Sequence, residues 1–372
     1  MQVIAVHGGA GYHSKQSEKV VKHALRSACS KALSNLAKDV QNDRKPVTAV
    51  GEAIVVLEDD GCLNAGYGSN LTMDGEVECD ASIMEGTTEY FGSVGAVTGV
   101  KNPIRLASAI LENASRPQSL GRVPPIMLVG EGASAFAREL RQEIVHPAEL
   151  KTDESIRNWR TWKERLERTR ESGALESTNT LTSSVDSNYS GLDDSESHLE
   201  DTVGAVAISN SGMAAGVSSG GLLLKYPGRV GEAAIFGAGC FALSPAGNDF
   251  GVACSVSGTG EAIIRSSLAK TLCDAVSSSP DDIHEAIERT LKDFSRKYVE
   301  DPGVVAGALI LTRQFEGEPG PYDCRLWCAF TSQSMAIGYA SDKGHKPRAF
   351  VLRQAESSTP KLFITCFSLK SS

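Results

Sequence analysis

The sequence predicts an α+β domain in which β-sheets are covered by layers of helix. Two observations point there. Short apolar strands open and close the chain while amphipathic segments fill its middle, a pattern that calls for sheets buried under helices. The composition, 41% hydrophobic and 22% charged over 372 residues, is that of an ordinary globular chain. A single domain interrupted by a linker is expected, with residues 1–149 and 202–372 forming its two parts and 150–201 a flexible, disordered connection.

Taken in order, QVIAV (2–6) is a short apolar strand ended by the glycine-rich HGGAG (7–11). Val21, Ala24, Leu25, Ala28, Ala32 and Leu36 then recur at helical spacing, and a second helix is expected over 48–60. Frequent glycines in 64–86 predict tight turns between short strands. A strand follows over 91–100, a helix over 103–114, and a strand, turn and helix over 126–143. The pattern then breaks. The basic run RNWRTWKERLERTR (157–170) predicts a transient helix with a solvated, charged surface. The tract after it, rich in Ser, Thr, Asp and Glu, has too little apolar surface to order itself. Such a length exceeds the usual connections inside a compact domain. From Thr202, TVGAVAIS and MAAGVSS predict a hairpin around NSG. Helices are expected over 260–276 and 280–297, the second with Ser279 as its N-cap and Pro280 in its first turn. Strands near 304–312, 325–331, 334–340, 349–353 and 361–367 complete the chain, which has no internal repeat.

Charge narrows the function by exclusion. The net charge is −9, but residues 171–201 alone carry eight acidic side chains and no Lys or Arg, so the remainder is nearly neutral. A direct nucleic-acid binder would need a basic face. The chain opens on no charged leader, and no apolar run reaches the ~18 residues of a membrane span, so no membrane association is expected. Nine cysteines, an odd number lying mostly in apolar stretches, suit free thiols in a reducing compartment. Cys324 and Cys328 share one face of the strand-like CRLWCAF with no second pair or His cluster, so core packing is expected of them. Glu76, Glu78 and Asp80 alternate along a strand and read as exposed or locally paired. Neither a metal nor a cofactor is expected.

The sharpest change of character falls in SHLEDTVGAVAIS (197–209), where the acidic tract stops at Asp201 and an apolar strand begins at Thr202. The plain account is that Asp ends a loop and Thr starts a strand. A chemical account is that the chain is cut between them. The Thr202 hydroxyl would attack the preceding carbonyl, and water would hydrolyse the resulting ester. The freed α-amine, with a pKa of roughly 7.7–8.0, can then serve as the general base for its own hydroxyl.

Such a nucleophile needs an oxyanion hole, an orienting hydroxyl and, for an anionic substrate side chain, a cation. VSSGG (217–221) offers Ser218 and Ser219 at a strand end, followed by Gly220 and Gly221, which permit close backbone approach. KYPGRVGEAA (225–234) offers Arg229 in a Pro-Gly turn. SVSGTGE (255–261) places the Ser257 hydroxyl and the Gly258 N–H just before a helix, where a developing oxyanion can be met. Rival motifs fit less well. GVSSG (216–220) has the form of a serine-hydrolase elbow, but the GLLLKYPGR that follows has no helical pattern. GAGCFA (237–242) matches a dinucleotide fingerprint but is followed by LSPAGND, which is no helix.

The motifs HGGAG, NAGYGS…DASIM, TVGAV, SSGG, PGRVG, GAG and SGTGE, in this order, resemble the type-2 asparaginase family of N-terminal-nucleophile hydrolases, over nearly the whole chain except residues 150–200. Within it the sequence looks most like the threonine aspartases, endopeptidases that cut proteins after aspartate. Three departures from the small-molecule branch point that way. Asp201 stands where asparaginases have Gly before the nucleophile, Ser219 replaces the threonine of TGG, and Glu232 replaces the aspartate that pairs with a free amino acid's α-amino group.

The resemblance implies a four-layer αββα sandwich with Thr202 as nucleophile and base, supported by Ser219. It implies Arg229 holding the substrate aspartate with Asn64, Ser257 and Gly258 at the oxyanion, and Gly9 and Gly220 lining the site. A family lysine near the substrate falls at Lys15 or Lys19, between which the sequence does not choose. Transcription and chromatin regulators as protein substrates, a nuclear and cytoplasmic setting, and a dimer of cleaved heterodimers are implied as well. Two other functions stay open: a small-molecule asparaginase or isoaspartyl peptidase, and an uncleaved, catalytically silent binding protein.

Overall fold

A computed structural model of the chain describes residues 1–37, 44–171, 202–244, 250–301, 303–315, 322–344, 346–355 and 362–369. Two antiparallel sheets stack face to face. The larger runs in the order β12-β11-β1-β5-β6-β2-β3-β4, and the smaller in the order β13-β10-β9-β8-β7. Its strands are β1 (Val3–Gly11), β2 (Cys79–Glu85), β3 (Phe91–Val97), β4 (Met127–Val129), β5 (Val203–Ser209), β6 (Gly212–Ser219), β11 (Ser334–Ser341) and β12 (Arg348–Arg353). The smaller sheet holds β7 (Cys240–Leu243), β8 (Phe250–Gly258), β9 (Ala306–Phe315), β10 (Tyr322–Phe330) and β13 (Phe363–Ser368). Among the described strands only β3 and β4 pair in parallel.

Helices α1 (Glu18–Leu36), α2 (Lys45–Glu58) and α3 (Pro103–Ala114) pack on the outer face of the larger sheet. Helices α7 (Leu268–Ser278) and α8 (Ile283–Lys297) cover the smaller one. The strand at the centre shows why the sequence chooses this arrangement. In β5, Val203, Ala205 and Ala207 enter the core beneath α1–α3, while Val206 and Ile208 enter the core between the sheets. A strand buried on both faces must be apolar at every position, which is why TVGAVAI shows no polar alternation. The expected αββα sandwich is therefore what the chain forms.

Several elements differ from expectation. The glycine-rich HGGAG continues β1, and the register against β11 shifts between His7 and Ala10, so a bulge takes up what was expected to be a turn. The helix expected over 260–276 is two, α6 (Gly260–Ser266) and α7, broken where Ser267 adopts a left-handed φ of 46°. Helix α8 is capped by the Asp282 carboxylate, which accepts from the Glu285 N–H at 3.2 Å, rather than by Ser279. Residues 153–171 form a full helix, α5 (Asp153–Glu171), following α4 (Gly130–Glu139). It is docked through Trp159, whose indole N–H donates to the Thr72 carbonyl at 2.8 Å. The rest of the expected linker, 172–201, lies outside the described residues. Cys324 and Cys328 are buried as anticipated, and no described helix is long and apolar enough to cross a membrane.

Candidate active site

Thr202 stands one residue before β5, and β5 lies between β1 and β6 in the middle of the larger sheet. The register opposes Val203 with Ser218, which brings Thr202 beside Ser219 at the end of β6. The Thr202 side chain is buried. Its hydroxyl donates to Glu232 Oε1 at 2.8 Å and lies 3.1 Å from Ser219 Oγ. Ser219 Oγ in turn accepts the Gly221 N–H at 3.0 Å, so one short segment orients the nucleophile and shapes the pocket wall.

Glu232 opens a one-turn helix (Glu232–Ala234) directly after the PGRVG turn. Burial raises the pKa of this carboxyl, while the nearby Arg229 charge and the Thr202 hydroxyl pull the other way. Asp80 on β2 fixes the same segment from below. Fully buried, it accepts the Gly231 N–H at 2.7 Å and the Ala96 N–H at 2.8 Å, which holds Arg229 and Glu232 on either side of a pinned peptide. Arg229 donates through Nε and one terminal nitrogen to Glu261 Oε1, at 3.0 and 2.8 Å.

On the opposite wall, Asn64 ties the NAGYGS loop to the glycines of SSGG. Its carbonyl accepts from the Gly220 N–H and its amide donates to the Gly221 carbonyl, both at 2.9 Å. A Cβ at Gly220 would lie 2.3 Å from Asn64 Oδ1, so only glycine lets the two segments approach this closely. Behind the nucleophile, the Ser255 hydroxyl donates to the Gly216 carbonyl. It must therefore accept from His7 Nε2, 2.8 Å away, which fixes the His7 tautomer. Burial pulls the His7 pKa down to about 3, against a smaller opposing pull from the Thr202 backbone, so this imidazole is neutral.

Thr202, Ser219, Asn64, Arg229 and Gly258 all line one pocket, together with Glu232. Ser257, Gly9 and Gly220 are not part of that lining. The Ser257 hydroxyl accepts the Ala10 N–H at 3.0 Å, and the Gly9 carbonyl accepts from His13 Nε2 at 3.1 Å. Lys15 and Lys19 are exposed and neither reaches the lining. Asp201 lies outside the described residues. Of the acidic residues read as exposed or locally paired, Glu76 pairs with Lys151 and Glu78 accepts the Gly228 N–H, while Asp80 is buried as an internal brace. The roles of Asp80 and His7 leave no trace in residue type or spacing. Glu232 was visible in GRVGE, though only as a departure from the family pattern. No group of three or more metal-ligating side chains occurs among the described residues.

The arrangement supplies a buried hydroxyl held by a carboxylate, a cation lining the same pocket, and a glycine-rich wall. That is the equipment of an amide hydrolase. Comparison with known proteins agrees at the level of the family. The asparaginase family model matches residues 1–309. The plant-type L-asparaginase of Pyrococcus horikoshii is 39% identical over 278 residues, covering 74% of this chain and 80% of that protein. The isoaspartyl peptidase of Escherichia coli is 33% identical over 294 residues, covering 78% and 82%. The probable isoaspartyl peptidase/L-asparaginase 2 of Arabidopsis thaliana is 32% identical over 354 residues, covering 92% and 96%. These names favour the small-molecule branch and lend no support to the narrower expectation of a threonine aspartase. The chain belongs to the type-2 asparaginase family of N-terminal-nucleophile hydrolases.

Proposed function

We propose that the chain matures by cutting itself between Asp201 and Thr202, and that the freed Thr202 then hydrolyses polypeptides after aspartate. The observation that carries this reading is the Thr202 hydroxyl, buried and bonded to Glu232, directly preceded in sequence by an aspartate. A pocket that accepts Asp201 at its own cut can accept the same side chain from another chain, with Arg229 as the cationic anchor. After cleavage the α-amine of Thr202 takes the hydroxyl proton, Oγ1 attacks the carbonyl, and backbone N–H groups such as that of Gly258 meet the oxyanion. Water then releases the acyl group.

A second reading is the one the named relatives favour: hydrolysis of free L-asparagine or isoaspartyl dipeptides. Glu232 beside Arg229 supports it, because a carboxylate and a guanidinium suit the ammonium and carboxylate of an amino acid.

One experiment separates the two. The purified chain, its intact mass recorded beside Thr202→Ala, is offered peptides containing aspartate, the same peptides with asparagine, free L-asparagine and an isoaspartyl dipeptide. The endopeptidase reading expects fragments 1–201 and 202–372 and cutting after aspartate alone. Turnover of asparagine or the dipeptide without peptide cutting would replace it with the second reading. A chain that stays whole and turns over nothing would favour a binding role.

A further inference from the structure

Self-cleavage, on which the reading above rests, poses a problem that the mature enzyme does not have. Until the Asp201–Thr202 bond breaks, the Thr202 nitrogen is an amide and cannot act as a base. Some other group must accept the hydroxyl proton. Among the described residues the Thr202 hydroxyl has two partners: Ser219 Oγ at 3.1 Å and Glu232 Oε1 at 2.8 Å. A serine hydroxyl is no base near neutral pH, whereas a carboxylate is. His7 meets Ser255 through Nε2 and the Thr202 backbone, and its ring is no partner of the Thr202 hydroxyl.

We infer that Glu232 is the catalytic base of self-cleavage. Glu232 Oε1 takes the proton from Thr202 Oγ1 as that oxygen bonds to the Asp201 carbonyl carbon, giving a tetrahedral oxyanion. The C–N bond then breaks, and the Thr202 nitrogen leaves as an amine by taking the proton back from Glu232. The product is an ester between Asp201 and Thr202 Oγ1. One water hydrolyses that ester, its hydroxide ending on the Asp201 carboxyl and its proton on Thr202 Oγ1. The new amine can act as base in this second half. Glu232 ends unchanged, and the net reaction consumes one water.

The surroundings suit such a role. Glu232 is buried by the segment that Asp80 pins through Gly231, so its carboxylate is aimed rather than mobile. Arg229 is the cation facing it and Asp80 the other anion, while Arg229 is itself held by Glu261. Burial raises Glu232 above the ordinary carboxylate range, which makes its ionised form a stronger base.

The test follows processing of full-length precursor, purified early and incubated, by intact mass across a range of pH. Positioned proton transfer contributes on the order of 10²–10⁴-fold, so Glu232→Gln should slow cleavage by at least about 100-fold. Its residual rate should rise about tenfold per pH unit as hydroxide replaces the missing base. Wild type should instead rise and then level off. Glu232→Asp, which keeps a carboxylate, should cut far faster than the glutamine variant. Hydroxylamine, which cleaves an accumulated ester, should not rescue Glu232→Gln, because the lost step comes before the ester.

Cleavage of Glu232→Gln at the wild-type rate would overturn the inference while leaving the self-cleavage reading intact. So would rescue by hydroxylamine, which would move Glu232 to ester hydrolysis. Asp201→Asn is the rival control, and loss of cleavage there with none in Glu232→Gln would make the Asp201 side chain the base. A wild-type chain that never cuts would remove both readings. If Glu232→Gln melts well below Thr202→Ala, the decision falls to wild type and Glu232→Asp: a rate that climbs with pH without levelling in both overturns the role.

Discussion

Glu58 carries a carboxyl in a place that cannot hold its charge. It is fully buried at the end of α2, where Oε1 accepts the Ser218 hydroxyl at 2.7 Å and the Ile104 N–H at 3.0 Å, while Oε2 has no hydrogen-bond partner among the described residues. Burial, opposed by those two hydrogen bonds, raises its pKa from 4.5 to about 8. The folded chain therefore keeps a proton that the unfolded chain releases above 4.5. Folding stability falls as pH rises between those two values, by at most about 1.4 kcal/mol per pH unit, and is flat on either side. Glu58→Gln mimics the neutral form. It should match wild type at pH 5 and unfold at higher urea than wild type at pH 8 to 9, measured in a Thr202→Ala background to keep the chain whole. Equal pH dependence in the two proteins would mean that Glu58 is ionised in the fold. At this scale the sequence told half the story. Thr202, Ser219 and Arg229 could be read because chemistry demands those residue types near one another, whereas Asn64 came only with the family resemblance. Glu58, Asp80 and His7 could not, because their roles come from burial, and a glutamate in an amphipathic helix carries no mark of whether its face meets solvent or a strand end.

Most elements announced themselves by period, and those that did not had local reasons. Strands β7 and β8 lie in a stretch where small residues and glycines hide the alternation of CFAL and FGVACSVSG. The break between α6 and α7 turns on one serine in a left-handed conformation, a choice no periodicity reveals. Helix α5 is the most instructive difference. Its composition is that of a solvated helix, and its order comes from tertiary contacts. Besides the Trp159 bond to Thr72, Lys163 Nζ donates to the Met73 carbonyl at 3.0 Å, and a Cβ at Gly75 would sit 3.2 Å from the Trp159 ring. Both contacts fall on the 72–75 turn, and Met73 also bonds the Lys225 carbonyl at the start of the Arg229 loop. Trp159→Ala should release the helix, since truncating a well-buried tryptophan costs ~3–5 kcal/mol and this half-buried one less. Amide exchange across 153–171 should accelerate at least tenfold while the strands keep their protection. Unchanged exchange there would show that the helix stands without its anchor.

The strand order constrains what a cut at Asp201–Thr202 can do to the whole molecule. Read across the larger sheet, β12 and β11 come from beyond the cut, β1 from before it, β5 and β6 from beyond it, and β2, β3 and β4 from before it. The two parts are interleaved rather than placed side by side. β1 pairs on one edge with β11, from Val3↔Ser341 onward, and on the other with β5, from Val3↔Ile208. Likewise β2 pairs with β6 through Asp80↔Ser219 to Glu85↔Ala214. Breaking one peptide bond removes none of these ladders, and separating the parts would expose both faces of β1 and β5 together with three ladders of unpaired backbone groups, each costly to leave unmade. The cleaved protein should therefore run as one species in native size-exclusion chromatography and as two bands on a denaturing gel, dissociating only in denaturant concentrations that also unfold it. For the same reason the segment 1–201 expressed alone should not fold, because β1 would lack both neighbours, while the smaller sheet is built wholly from residues after the cut. Elution of two separate folded fragments from the cleaved protein would show that the pairing of β1 with β5 and β11 does not hold the parts together.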